Sequence, residues 1–288
     1  MEGVPIRSVG LTYRNKGAGD ENPAPSFYAM SAMQSAPWDP LDWRAVARAR
    51  AGSRLGRHVV YEASVASTNL LARALLRHGA ADGTVVVTDD QTRGRGRLGR
   101  EWIAVPCSGL TFSVCLRPPA GRRLHALSPA AALAVGDVVY DVVAARCTLK
   151  WPNDVLVDGA KVCGILIELD EMGDHRTAVV GIGLNVNAAP PLASATCLAA
   201  CTGAPLAREP LLIRLLAALE QYVCAAEGSP DAVIRQWRDR LDTLGRQVRV
   251  HSTSGMVEGV AVDVDAEGAL LVRAHDGTTS PVHAGDIV

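Results

Sequence analysis

Neither sign of charge dominates this chain: 29 Lys and Arg stand against 30 Asp and Glu, a formal net charge of −1. A general nucleic-acid binder carries a broad basic field, so any cationic work here must be local. There is no Cys-x-x-Cys pair and no Cys/His cluster with zinc spacing. Cys197 and Cys201 are four apart, but no second ligand pair accompanies them. The seven cysteines are an odd number, and most, such as Cys115 and Cys163, sit in apolar company as small core residues. This usage implies a reducing compartment, the cytoplasm. No secretory signal is readable at the N-terminus, and no apolar run is long enough to span a bilayer. No membrane association is therefore expected. No Ser/His/Asp or Cys/His set is apparent, and none of the seven scattered histidines is assigned to catalysis. Aromatic residues are scarce, at 4%. No internal repeat is evident.

At 288 residues, with 48% apolar and 20% charged residues, the chain is long enough for a large core and two domains. Its most unusual stretch is Gly94-Arg95-Gly96-Arg97-Leu98-Gly99-Arg100, with Arg93 just upstream. Glycines let backbone N–H groups approach a ligand closely. Arginines present fixed forks of donors to carboxylate or phosphate. Such a segment is a poor helix and a poor strand. It reads as an anion-binding lid, with a solvated basic loop as the plain alternative.

Residues 1–40 carry Gly, Pro, Ser and Asn without a period and read as a disordered extension. Nothing in residues 1–58 reads as a helix-turn-helix. Asp42–Ala51 predicts a short helix, Val59–Glu62 a strand, and Leu70–Leu76 a helix with Ser67 or Thr68 at its N-cap and Gly79 at C′. Thr84–Thr88 predicts a buried strand that delivers Gln91 into the lid. Leu110–Leu116 predicts a further strand. Ser128-Pro129 opens an apolar helix to about Ala145. Val155–Leu169 predicts a hairpin about Asp158-Gly159. Thr177–Val186 predicts a strand whose Gly181 and Gly183 mark close backbone approach. Helices are predicted at Glu209–Ala226 and Pro230–Thr243. Short strands joined by glycine turns then predict a small β-barrel. The division is therefore 1–40, a catalytic body over 41–243, and a barrel over 244–288.

Five stretches carry the chemistry: Ser67-Thr68-Asn69; Gln91 through Arg100; Lys150-Trp151-Pro152-Asn153-Asp154; Lys161 through Glu168; and Gly181 through Asn187. Together, and in this order, they resemble the biotin protein ligases over roughly residues 59–288. The resemblance implies an α+β fold: a mixed-sheet catalytic domain of the biotin/lipoate ligase type, similar to class II synthetases, plus a small C-terminal SH3-like β-barrel. It implies ATP and Mg²⁺ as cofactors, biotin as substrate, and a biotin carboxyl carrier domain of an acyl-CoA or pyruvate carboxylase as partner. No DNA is expected as a partner.

The residue chemistry supports the same reading. Ser67, Thr68, Asn69 and Gln91 offer groups that donate and accept, suited to a neutral ureido ring; simple N-capping is the plain alternative for the first three. The resemblance places Ser67, Thr68, Gln91 and the backbone near Gly181 among the biotin contacts, with Gly94, Gly96 and Gly164 as further candidates. Gly164, Gly181 and Gly183 would let ligand lie against backbone, and tight packing alone is their plain alternative. Arg95, Arg97 and Lys161 supply positive charge where a carboxylate must approach a phosphate. Lys161, carried on a hairpin, ranks first for catalysis, while Arg95 and Arg97 close over the intermediate. Lys150, Asn153, Asp154, Arg97, Arg100, Trp102 and Asn185 are expected on the nucleotide side, with Asp154 the candidate Mg²⁺ ligand. Trp102 is equally readable as a core anchor. Arg93 departs from the family pattern, where a small residue is usual. The expected reaction makes biotinyl-AMP and pyrophosphate, then transfers biotin to a carrier lysine. Lipoate ligase is the rival within the fold, though its loop lacks this Arg-Gly alternation. A nucleic-acid module would explain the arginines but not Lys150–Asp154 or Lys161–Glu168.

Overall fold

The computed structural model describes residues 38–143, 146–172, 175–252 and 255–287. The expected disordered extension lies outside them, apart from 38–40. The short helix α1 (Trp43–Ala49) is capped by Asp42, whose Oδ1 accepts from Ala45 N at 3.1 Å. The body then runs β1 (Val59–Val65), α2 (Thr68–Arg77), β2 (Val85–Gln91), β3 (Leu110–Leu116), α3 (Leu127–Val143), β4 (Cys147–Lys150), β5 (Asp154–Val157), β6 (Ala160–Met172) and β7 (His175–Leu184). Helices α4 (Leu198–Thr202), α5 (Arg208–Gly228) and α6 (Pro230–Arg238) follow, then β8 (Gln247–Ser252), β9 (Gly255–Val264), β10 (Leu270–Arg273), β11 (Thr279–Val282) and β12 (Gly285–Ile287).

The first seven strands form one mixed sheet in the order β1-β2-β3-β7-β6-β5-β4, parallel only between β1 and β2. Strand alternation separates its two faces. Val85, Val87, Val114, Leu116, Ala178 and Val180 join the large core beneath α3 and α5. Val86, Cys115 and Val179 pack instead against Ala72 and Leu76 of α2. Helix α3 is buried almost all round, from Ala130 to Val135 without exception. Leu212, Leu215, Leu216 and Leu219 of α5 are likewise buried, each worth about 1.5–3 kcal/mol in apolar transfer.

Helix α2 covers only part of its face. The register places Thr111, Gly183, Gly164 and Asp154 opposite one another across β3, β7, β6 and β5. The neighbouring row is Ser113, Gly181 and Leu166. Helix α2 begins at Thr68 and leaves the first row open, which makes a cleft.

Some expectations differ in detail. The helix expected over 230–243 ends at Arg238, because Leu241 bridges to Leu149 of β4 and Asp242 N bonds Leu149 O at 2.9 Å. The C-terminal strands form an antiparallel sheet, β11-β10-β9-β8-β12. Among the described residues, β11 and β12 are its two edges, so the expected barrel is not closed by strand pairing. This sheet is docked on the body: the buried Trp151 gives its ring N–H to Gly268 O at 3.1 Å.

Candidate active site

The cleft spans about 690 Å³, part of it open to solvent, and draws on α2, the 91–102 loop, β3, β5, β6, β7 and β12. At one end stand Ser67, Thr68, Asn69 and Gln91. Ser67 occupies the N-cap position of α2 but makes no side-chain capping bond. Gln91 does that job from the end of β2: its Oε1 accepts from Thr68 N at 2.9 Å. Ser113 Oγ, fully buried, lies 2.7 Å from Thr68 Oγ1 and 2.6 Å from Asn69 Oδ1. A Cβ on Gly181 would sit 2.1 Å from Asn69 Oδ1. Only bare backbone leaves room for that amide.

The Arg/Gly segment is a narrow hairpin. Arg95 bridges Glu101, Trp102 N bonds Gly94 O at 3.0 Å, and a 3-10 turn occupies Arg97–Gly99. Leu98 at φ 52° and Gly99 at φ 75° both take left-handed backbone to make that turn. The expectation of no regular structure here is thus only partly met. The hairpin folds its Trp102 ring over the floor: a Cβ on Gly183 would meet Trp102 Cε2 at 2.3 Å.

The cations sit among carboxylates. Lys161 Nζ lies 2.7 Å from Asp154 Oδ1 and 5.6 Å from the Trp102 ring centre. Its angles are not those of a hydrogen bond, so Asp154 Oδ1 is buried with a Coulombic neighbour only. Arg95 Nη1 meets Glu168 Oε1 at 3.0 Å, and Arg100 Nη2 meets Asp286 Oδ2 at 3.0 Å. Arg97 has no ion pair among the described residues. Burial lowers its pKa, against the raising fields of Asp286 and Asp154. A guanidinium remains charged even so, which makes it the least compensated cation in the cleft.

Most of the expected site residues therefore share one cleft: Ser67, Thr68, Asn69, Gln91, Arg95, Gly96, Arg97, Arg100, Trp102, Asn153, Asp154, Lys161, Gly164 and Gly181. Three are placed elsewhere. Gly94 is buried in the stem of the hairpin, its Cβ position blocked by Trp102 O at 2.0 Å and the Gln91 amide at 2.7 Å. Lys150 Nζ points to Ile287 O at 3.4 Å. Asn185 is buried and gives its amide to Thr196 O at 3.0 Å. Asn153 turns its own amide to Ile165 O, at 2.5 Å, and fixes the start of β5.

Sequence reasoning gave no role to Thr111, Ser113 or Asp286, and Glu168 entered only as the end of the Lys161–Glu168 run. Thr111 and Ser113 were legible: they are the polar positions, two apart, in the otherwise apolar β3. Glu168 falls two residues beyond Leu166 on the same face of β6. Asp286 reaches the cleft only through the docking of the second sheet, for which no local signal exists.

A mixed sheet carrying such a cleft has known counterparts. Residues 61–185 match the biotin/lipoate A/B protein ligase family, and residues 243–288 match the biotin protein ligase C-terminal domain. The chain is 38% identical over 261 residues to the biotin–[acetyl-CoA-carboxylase] ligase of Mycobacterium tuberculosis, covering 86% of this chain and 96% of the relative. It is 31% identical over 242 residues to the bifunctional ligase/repressor BirA of Bacillus subtilis, covering 81% and 74%. It also resembles the solved biotin protein ligase from Aquifex aeolicus in complex with biotin and ATP, with 27% identity and a TM-score of 0.69 over 81% of this chain and 98% of that one. The chain belongs to the biotin protein ligase family.

Proposed function

We propose that this chain activates biotin as biotinyl-5′-AMP and transfers it to a lysine of a biotin carboxyl carrier domain, in an acyl-CoA or pyruvate carboxylase. One observation carries the reading. A neutral slot able to donate and accept, made by Thr68, Asn69 and Gln91, opens into the same cleft as Arg95, Arg97, Arg100 and Lys161. An uncharged ring at one end and several negative charges at the other describe biotin beside a nucleotide.

The reaction follows from the layout. The slot holds the ring, so the biotin carboxylate points toward the cations. Carboxylate and α-phosphate repel each other, and Lys161 and Arg97 supply the positive charge that allows their approach. Attack by a carboxylate oxygen on phosphorus forms the acyl-phosphate bond, and the bond to pyrophosphate breaks. Asp154 keeps the Lys161 ammonium on the wall of the cleft. The 93–102 hairpin then excludes water from the mixed anhydride. In the second step a carrier lysine amine attacks the acyl carbon, and AMP leaves. No protein nucleophile is needed.

The donors fit Mg²⁺ carried in with ATP. Asp154 offers a buried carboxylate oxygen without a hydrogen bond, and among the described residues no group of three His, Cys, Asp or Glu forms a dedicated cage. Mg²⁺ ordinarily takes one or two carboxylates plus phosphates and waters. When bound it would neutralise phosphate charge, with Asp154 as its protein ligand. Residues 41–243 would form the catalytic unit and 244–288 a support that closes one side of it. No helix among the described residues is long and apolar enough to cross a membrane, and we place the reaction in the cytoplasm.

The test is direct. Incubation with biotin, MgATP and a carrier domain should add one biotin mass to one carrier lysine, with pyrophosphate released. Release driven by lipoate and not by biotin would overturn the reading in favour of the related lipoate chemistry.

A further inference from the structure

Glu168 has no part in the reaction as described, yet its carboxylate is the junction of two regions of the cleft. Its side chain is 14% exposed. Oε2 accepts from Asn69 Nδ2 at 2.9 Å, and Oε1 accepts from Arg73 at 3.2 Å and from Arg95 at 3.0 Å. One oxygen therefore holds a residue of the neutral slot and the other a residue of the hairpin.

Counting hydrogens extends the connection. Each hydroxyl has one to give. Asn69 turns Nδ2 to Glu168, so its Oδ1 can only accept, and Ser113 must donate to it at 2.6 Å. The 2.7 Å contact between Ser113 and Thr68 then needs the Thr68 hydrogen. Gln91 Oε1 is left with the Thr68 backbone N–H at 2.9 Å. The bonds run without a break through Arg95, Glu168, Asn69, Ser113, Thr68 and Gln91. Gln91 itself is only four residues before Arg95 in the chain, so the path closes into a ring through the hairpin stem.

We infer that Glu168 is a positioning residue that couples occupancy of the biotin slot to the placement of the hairpin. The inference rests on the proposed biotin ligase activity and adds a residue and a route to it. Glu168, at 2.9 Å and with Leu166 O as a longer second acceptor at 3.3 Å, fixes which end of the Asn69 amide faces Ser113, and so the donor–acceptor pattern offered to a ureido ring. The same carboxylate holds Arg95. A ligand that competes for Asn69 or Thr68 disturbs the partners of Glu168, and the hairpin responds. Arg73 braces Glu168 from the outside, itself held by Asp170 at 2.5 Å. Movement is therefore passed to Arg95 rather than absorbed by the carboxylate. Charge-assisted bonds of this kind are roughly twice as strong as neutral ones, which is why a carboxylate at position 168 and not an amide carries the coupling.

The experiment compares the wild-type protein with Glu168→Gln, Arg95→Gln and the double variant. Trypsin cleavage at the hairpin arginines is followed with and without biotin, and pyrophosphate release is followed with MgATP. In the wild type, biotin alone should slow cleavage. In Glu168→Gln, about tenfold more biotin should be needed for the same protection, with a matching rise in KM for biotin, as expected for loss of about 1.4 kcal/mol. The turnover number at saturating biotin should change far less. Arg95→Gln cuts the same route from the exposed side, where folding is not at stake. The double variant should then be no worse than either single change, since coupled residues are not additive. A purely structural Glu168 would lower the unfolding midpoint and leave the biotin dependence of protection unchanged. That result, or additive effects in the double variant, overturns the inference. A wild-type protein that releases no pyrophosphate with biotin overturns the ligase reading itself, a separate outcome.

Discussion

Arg100 of the hairpin and Asp286 of the C-terminal sheet meet at 3.0 Å. The hairpin is thus held in part by a carboxylate from the far end of the chain. The Arg100 side chain is 60% exposed, and such pairs are worth at most about 1 kcal/mol. Asp286→Asn should therefore speed tryptic cleavage after Arg100 by no more than about fivefold, with the unfolding midpoint little changed. A much larger effect would mean that Asp286 supports the whole sheet contact and not this one arginine.

Lys161→Ala should reduce biotin-dependent pyrophosphate release on the order of 10²–10³-fold, the usual cost of losing one preorganised charge-stabilising group. Biotin binding alone, measured by calorimetry, should weaken far less. Near-normal turnover would remove Lys161 from its assigned place.

Arg97→Gly addresses containment. The hairpin would still form, since Arg97 contributes only backbone to its turn. Biotinyl-AMP should escape faster, and bystander proteins should become labelled when mixed with the variant. Unchanged retention of the intermediate would show that Arg97 is not part of the closure.

The two floor glycines should separate the halves of the cleft. An alanine Cβ at 181 would strike Asn69 Oδ1, and one at 183 would strike the Trp102 ring. Gly181→Ala should abolish measurable biotin binding while ATP binding persists. Gly183→Ala should displace Trp102, weaken ATP binding, and cost about 1–3 kcal/mol in stability through overpacking. Titrations with each ligand, read by tryptophan fluorescence, distinguish the two; equal losses in both variants would argue against a divided cleft.

Acid should loosen the brace behind Glu168. The hydrogen bonds and charge of Arg73 hold the Asp170 carboxyl below its ordinary pKa. A depressed folded-state pKa contributes stability that is complete above the ordinary aspartate value, near 4, and is lost as pH falls through the lower folded value. The fall in unfolding midpoint between pH 5 and the acid limit should be shallower in Asp170→Asn than in the wild type. Parallel curves would show that the pair adds nothing to stability.

Much of this molecule is readable from local rules. Helix α2 begins at Thr68 with Ser67, one of the two expected residues, at the N-cap position, and the Asp158-Gly159 turn takes φ of 50° and 79°, as a tight hairpin requires. The slot residues and the hairpin were legible because their chemistry is concentrated in short runs. Other features depended on distant partners. Ser67 looks like a capping serine, but Gln91 provides the acceptor at the helix start, and only the β1–β2 pairing brings it there. Lys150 and Asn185 belong to runs that serve the cleft, yet backbone carbonyls outside those runs, at Ile287 and Thr196, accept from them. The end of α6 was misjudged because pairing with Leu149 overrides helical propensity at Leu241.

The register row of Thr111, Gly183, Gly164 and Asp154 has a consequence for how the protein acquires its activity. Four strands must already be in their final alignment before that row exists, and residues as distant as Ser67 and Asp286 must converge around it. Contacts between such remote segments form late, because the intervening chain must first be brought together. Helix α2 and the β5–β6 hairpin can form early from neighbouring residues. Competence to bind should therefore appear only in the final cooperative step of folding, and a partly folded chain would have its helices and hairpins long before it could hold a ligand.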